Sequence, residues 1–291
     1  MRITTSQMFD RPTARMSALT AQADKIQAQI STGKRVVAAS DDPAAYQALE
    51  RLNRADADDA AYSANVKLAQ GVLSQADTAL ATVETRLQRA QEIAIASSNG
   101  TLSAANRTAY ASELNAIVDE LLTVANGSDV RGQPLFGGSN GAAPFTRAGD
   151  GSISYTGQGE PTAIPVGDGN AIATGVTGDR AFGEMFATLA AIGAALSSNE
   201  VPPAEATEGL DAALDQVNAA RASIGARTIR LDYAAARIAD TAIDREDARN
   251  DLEAVDVSAA ITQLQKTLTI LQATQSSFTK LSGLSLFDYL R

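Results

Sequence analysis

The side chains best able to do chemistry in this chain are closely set carboxylates and a single glycine–lysine step. Asp41 and Asp42 stand side by side in Ser40-Asp41-Asp42-Pro43, where two carboxylates could share a divalent cation. No further ligands follow at a useful spacing, so a helix start is the better reading. Asp42 fits the N-cap and Pro43 the first helical position, where its missing N–H costs nothing. Gly33-Lys34 resembles the end of a phosphate-binding loop, which needs a glycine five residues before the second glycine and Ser or Thr after the lysine. Ala28 and Arg35 occupy those positions, and the motif fails. Asp150 and Asp168 each precede a glycine between short β-prone runs, which makes them turn formers rather than metal ligands.

The chain contains no histidine and no cysteine. The commonest general base at neutral pH, the thiolate nucleophile and two frequent metal ligands are therefore missing. No nucleophile elbow or dinucleotide fingerprint occurs either. The remaining carboxylates fall on helix surfaces or in turns, and nothing in the sequence convenes them. The expectation is no enzyme, no catalytic residue, no metal and no cofactor.

The formal net charge of −10 argues against nucleic acid as a partner, because phosphate binding needs a basic footprint. It also argues against a polybasic membrane anchor. No run of eighteen apolar residues exists to span a bilayer, so no membrane insertion is expected. The segment Met1-Arg-Ile-Thr-Thr-Ser-Gln-Met-Phe-Asp10 lacks the apolar core of a cleaved signal peptide. A soluble chain that starts in the cytosol is expected, with an exit that needs no cleaved signal left open. Aromatic residues are only 4% of the chain and tryptophan is absent, while alanine is abundant. Such a composition suits long packed helices better than a compact catalytic core.

Helical periodicity frames the chain at both ends. Met16, Leu19, Ala23, Ile26, Ile30, Gly33 and Val37 recur at three and four residues, the narrow seam of a coiled-coil strand. Val257, Ile261, Leu264, Leu268, Leu271, Gln275 and Phe278, with Leu281 beyond, draw a second seam. A seam this narrow needs a partner, and two at opposite ends favour pairing with each other. Between Pro43 and Ser97 no further proline interrupts, and Tyr62, Val66, Ala69, Leu73, Ala76, Leu80, Val83, Leu87, Ala90 and Ala94 keep the same rhythm. Asn99-Gly100 breaks this helix, Thr101 or Ser103 can cap the next, and Tyr110, Leu114, Ile117, Leu121 and Val124 line its face.

Fourteen of the 21 glycines and four of the eight prolines then fall between Gly127 and Gly183, which excludes long helices there. Phe145–Arg147 and Ile153–Tyr155 flank one Asp-Gly turn; Ala163–Val166 and Ala171–Ala173 flank the other, giving two hairpins. Helix returns over Phe186–Leu196, breaks at Val201-Pro202-Pro203, and resumes from Ala204 without another proline. The charges of Arg237–Glu253 alternate in sign, as on a solvated helix face. The fold class expected is mainly α with an inserted β domain: long antiparallel helices and coiled-coil termini, with the N- and C-terminal segments paired. Three domains follow: residues 1–40 with 255–291, a helical bundle of 41–132 with 184–254, and a β-rich insert of 133–183.

Particular stretches resemble the bacterial flagellin superfamily. Ile30-Ser-Thr-Gly-Lys-Arg-Val36 followed by Ser40–Pro43 is similar to its N-terminal signature. Leu87–Ala94 with Asn99-Gly100 resembles its long helix; Asp256, Ala260–Leu264 and Leu271–Ala273 resemble its C-terminal region. Within the superfamily, three features resemble the branch that joins hook to filament. They are the start Met1–Thr5, the ordered run Leu135–Ser139, Pro144-Phe145, Tyr155–Gly157 and Thr177-Gly178, and the ending Ser285, Leu286, Phe287, Asp288, Tyr289 and Leu290. Asn250, where the pattern has serine, and the final Arg291 depart toward a filament-forming flagellin, which stays as the alternative.

The resemblance implies a structural subunit whose terminal segments pair within one copy and pack on neighbours about a tubular axis. It implies as partners other copies of the chain, hook-associated protein 1 on the hook side, flagellin on the filament side and a cytoplasmic export chaperone at the C-terminal seam. It further implies type III export to the extracellular flagellum. The strip by which some flagellins meet an innate immune receptor maps near Arg89, Ile93 and Glu113. Two other readings remain: a soluble coiled-coil binding module, and an enzyme housed between Leu135 and Gly183.

Overall fold

A computed structural model describes residues 3–98 and 102–289, with side chains for 10–98 and 102–280. Seven helices and two hairpins follow one another in these residues: α1 (Ile3–Thr32), α2 (Pro43–Ser97), α3 (Ala104–Ala125), β1 (Phe145–Arg147), β2 (Ile153–Tyr155), β3 (Ala163–Gly167), β4 (Asn170–Ala173), α4 (Gly178–Phe182), α5 (Met185–Ser197), α6 (Ala204–Glu253) and α7 (Val257–Tyr289). The fold is mainly α with an inserted antiparallel β region. The chain divides into two compact units, Met1–Ala57 with Asp240–Arg291 and Asp58–Ala239.

In the second unit the expected heptads form the core. Val66, Ala69, Leu73, Ala76, Leu80, Val83, Leu87, Ala90 and Ala94 of α2 are all buried. They meet Leu114, Ile117 and Leu121 of α3, Leu189 and Ile192 of α5, and Leu210, Val217 and Ile224 of α6. Ala69, Ala76, Ala90 and Ala94 let neighbouring helices approach closely, while the leucines and valines of α2 supply burial. Asn99, Gly100 and Thr101 lie outside the described residues. Ser103 caps α3, its hydroxyl accepting the Asn106 N–H at 3.3 Å. The turn after α5 uses Asn199 at φ 60°, with the Glu200 N–H donating to Ala195 O and the Asn199 N–H to Leu196 O, the paired bonds of a Schellman ending.

Both hairpins form at the Asp-Gly steps. Phe145 pairs with Tyr155 across β1–β2, and Ala163 with Ala173 across β3–β4. Asp150 accepts the Ser152 N–H at 3.0 Å, and Gly151 and Gly169 hold φ values of 85° and 67°. Two isolated pairs of short strands cannot enclose a core of their own. They lie instead on the helices, through a stack of Phe136, Phe145, Tyr155, Phe182 and Phe186 with ring centroids 4.9–5.6 Å apart. One apolar cluster therefore runs through both the hairpins and α2, α3, α5 and α6. This differs from the threefold division expected of the sequence, in which residues 133–183 stood apart.

In the first unit α1 and α7 pack along each other. Between them the chain makes a short strand-like crossing: Lys34 bridges Ala254 antiparallel, and the Val255 N–H donates to Gly33 O at 3.0 Å. The end of α1 thus adjoins the start of α7, and the two helices run antiparallel. A small second cluster, Val36, Ala45 and Leu49 with Tyr46, Leu52 and Leu252, joins the start of α2 to the end of α6.

Candidate assembly surface

The N-terminal seam ends earlier than its spacing suggests. α1 stops at Thr32 because Gly33 takes φ 70°, a left-handed conformation open to glycine and costly for other residues. Gly33 and Val37 therefore do not continue the seam; Val37 is 58% exposed, and Val36 is buried in its place. Ala23 and Ile26 are buried, and Met16, Leu19 and Ile30 are half-buried.

The C-terminal seam is rotated relative to the sequence reading. The face of α7 that α1 covers carries Ala260, Leu264, Thr267, Leu271 and Phe278, with Ala260 and Thr267 the buried members. Val257, Ile261 and Leu268 lie on its flank, 46%, 43% and 48% exposed. The reason is local chemistry. Ala260 and Thr267 are small enough for close approach, and Thr267 satisfies its hydroxyl within the helix by donating to Gln263 O at 2.8 Å. A hydrophobicity pattern weights Ile and Leu above Ala and Thr, and so it points to the flank. α7 thus has two adjoining apolar strips, one covered by α1 and one open to solvent. The side chains of Leu281 and of Ser285, Leu286, Asp288 and Tyr289 lie outside the described residues, as does Leu290 entirely.

Polar clamps hold the roots of this pair, and most were invisible to sequence reading. Lys34 Nζ reaches Glu253 at 3.0 Å, and Arg35 Nη2 donates to Leu252 O at 2.9 Å. Asp42 Oδ1 accepts the Ala45 N–H at 3.0 Å at the start of α2, above Pro43, and Asp42 also pairs with Arg35 at 3.2 Å. The Ala45 N–H, with the Arg35 guanidinium, holds the Asp42 carboxyl below the usual range. Asp41 binds Lys25 at 2.6 Å and accepts the Val37 and Ala38 N–H groups, which together hold its pKa at about 2. Both aspartates of the pair are thus committed to the chain itself. Asp56 receives Arg245 at 2.7 Å and Arg249 at 2.5 Å, tying α2 to α6. Arg249, with Arg245, lowers the Asp56 pKa against the opposing effect of burial. The alternating charges of Arg237–Glu253 hid this clamp, since its acidic member lies almost two hundred residues away. No group of three or more acidic side chains able to hold a metal ion occurs among the described residues.

On α2, Arg89 Nε donates to Glu113 and Nη1 to Glu92, both at 2.7 Å. Ile93 is 1% exposed, so it belongs to the core and not to a surface strip with Arg89 and Glu113. Among the described residues no helix is long and apolar enough to cross a membrane.

These features define a class: a coiled-coil frame of terminal helices, with an open apolar strip, carrying a bundle and two hairpins that share one core. The N-terminal helical region of bacterial flagellin matches residues 3–141, and its C-terminal helical region matches residues 207–290. The chain belongs to the bacterial flagellin family, a family of structural proteins. Flagellar hook-associated protein 3 of Escherichia coli K12 is 29% identical over 317 residues, covering 99% of each chain. A flagellin of Listeria innocua is 26% identical over 259 residues, 88% of this chain and 86% of its own. The flagellar junction protein FlgL of Legionella pneumophila superposes with a TM-score of 0.58 at 16% identity, over 72% of this chain and all of that one. At that identity the superposition speaks to the fold alone.

Proposed function

We propose that this chain is a structural subunit of the bacterial flagellum that forms the junction between hook and filament. The observation that carries this reading is the end-to-end similarity to a hook-associated protein 3, covering 99% of both chains, against a shorter match to flagellin. The geometry supports assembly: α1 covers one strip of α7, and Val257, Ile261 and Leu268 are left for a neighbouring copy. The N-terminal residues Met16, Leu19, Ala23, Ile26 and Ile30, with Leu264, Leu271 and Phe278, hold the pair itself. In this reading Leu281 and the ending Ser285–Leu290 take part in the same assembly.

Neighbours in this reading are hook-associated protein 1 on one side and flagellin on the other. Before type III export to the extracellular flagellum, a cytoplasmic chaperone covers the C-terminal apolar strip. A filament-forming flagellin is the second reading, favoured by the shared family and the Listeria match. Seeding purified chain in precipitant separates the two. Short assemblies that stop growing are expected of a junction subunit, whereas long self-propagating filaments would refute it.

A further inference from the structure

Three stretches of the second unit close on a small cavity of about 220 Å³. α6 supplies Ser223 and Arg227, the segment before β3 supplies Glu160, and the chain after β4 supplies Thr177 and Arg180. Val176 and Ala220 make part of its wall apolar, and both are buried. Arg180 is already paired: its Nη2 and Nη1 donate to the two carboxylate oxygens of Glu160, at 2.6 and 3.1 Å. Arg227 makes no ion pair among the described residues. It is half-buried, and its Nη1 donates to the carbonyls of Gly175 and, at 3.4 Å, Ala173. Carbonyl oxygens orient a guanidinium without neutralising it, and a desolvated cation without an anion is costly. Burial, with the nearby Arg180 and Arg230, pushes the Arg227 pKa below its usual range against the opposing effect of Glu160.

The cavity also holds an unused hydroxyl. Thr177 stands at the N-cap of α4 with φ −70° and ψ 148°, where a threonine oxygen ordinarily accepts an N–H of the first turn. Its hydroxyl makes no such bond. Thr177 is 5% exposed, and its buried Oγ1 has no hydrogen-bond partner among the described residues. Buried polar groups in folded chains are nearly always hydrogen-bonded, so an orphan beside an unpaired arginine calls for a cause. Ser223, one turn before Arg227 on the same side of α6, adds a second hydroxyl.

We propose that this cavity is a carboxylate-binding site, in which the Arg227 guanidinium holds the anion and Thr177 donates its free O–H. The charge balance selects the class: Arg180 and Glu160 cancel, leaving one positive charge for one negative group. A guanidinium fork with a hydroxyl suits the flat, two-oxygen head of a carboxylate. The volume falls below the roughly 300 Å³ at which drug-sized ligands begin, so the occupant is a short aliphatic acid or a single acidic side chain. The site lies within one copy and holds whether or not the chain is a junction subunit.

The probe is sodium butyrate, titrated calorimetrically into the full chain in dilute solution, with sodium chloride at equal ionic strength as the control. Saturable binding at millimolar concentration is expected, beyond anything seen with chloride. Arg227→Gln should weaken it about tenfold or more, and Thr177→Val about fivefold. Thr177→Val is the decisive variant, because it removes a hydroxyl that bonds to nothing in the chain. It should leave thermal melting of the unliganded protein unchanged or raised, so a weaker titration reports on the ligand and not on misfolding. Butyrate that binds no better than chloride, or equally well to both variants, would overturn the site. A Thr177→Val protein that melts lower while binding butyrate as wild type does would also overturn it, leaving that hydroxyl a structural role. A second arm distinguishes the source of the carboxylate. Butyrate that raises the critical concentration for pelleting assigns the site to an acidic side chain of a neighbouring copy, whereas an unchanged value assigns it to a free acid.

Discussion

Replacing Ile261 and Leu268 together by glutamine separates assembly from folding. Both side chains lie on the open strip of α7, 43% and 48% exposed. Full burial of an Ile or Leu side chain is worth about 1.5–3 kcal/mol, so covering the exposed half of each contributes on the order of 1 kcal/mol. The pair therefore loses about 2 kcal/mol per contact between copies, a weakening of roughly thirtyfold. The single chain should hardly notice, because neither side chain belongs to the face covered by α1, and exposed substitutions usually stay within about 0.5 kcal/mol. The contrast is Ile26→Ala on the covered face. Ile26 is 7% exposed, and truncation there costs about 2 kcal/mol or more of folding stability in the first unit. The assay is the critical concentration for pelleting with precipitant, set beside thermal unfolding followed by circular dichroism. Ile261→Gln with Leu268→Gln is expected to raise the critical concentration roughly thirtyfold and leave melting unchanged. An unchanged critical concentration, or a melt as damaged as that of Ile26→Ala, would refute the division of α7 into two strips.

Three further outcomes follow from the second unit. Gly178→Ala should lower stability by about 1–3 kcal/mol in denaturant titration, since a Cβ there meets the rings of Phe145 and Tyr155 at 2.7–2.9 Å. Leu80→Ala, in the fully buried heptad of α2, should cost about 3 kcal/mol in the same titration. Asp129 is opposed by burial but accepts the Arg131 side chain and the Arg131 and Gln133 N–H groups, which bring its pKa below the ordinary 3.8. Its stabilisation is thus present above about pH 4 and lost as pH falls through the lowered value. Asp129→Asn should flatten that acid limb of a stability-versus-pH curve while lowering stability at neutral pH.

Most of the helical frame was legible because its seams use large side chains at regular spacing. The heptad from Val66 to Ala94 is buried residue for residue, and both Asp-Gly steps make the turns their chemistry requires. Two things were hidden, for different reasons. The covered face of α7 is marked by Ala260 and Thr267, whose small size suits close packing but gives almost no hydrophobic signal, so the pattern of Ile and Leu pointed about one strip too far round. The Lys34–Glu253 and Asp56–Arg245–Arg249 clamps join residues about two hundred positions apart, and periodicity reports only on neighbours in sequence. The ending of Val37 outside the seam was a matter of one residue: Gly33 carries a left-handed φ, and from there the chain turns into the crossing with Val255.

The junction role itself is tested most directly by deleting the gene from its host and examining cells and medium. The expected result is cells that keep their hooks, bear no filaments and spill flagellin monomer into the medium, with filaments restored by the wild-type chain. Filaments still growing from the hooks of the deleted strain would contradict the junction role, and filament loss without spilled flagellin would point to the filament subunit instead.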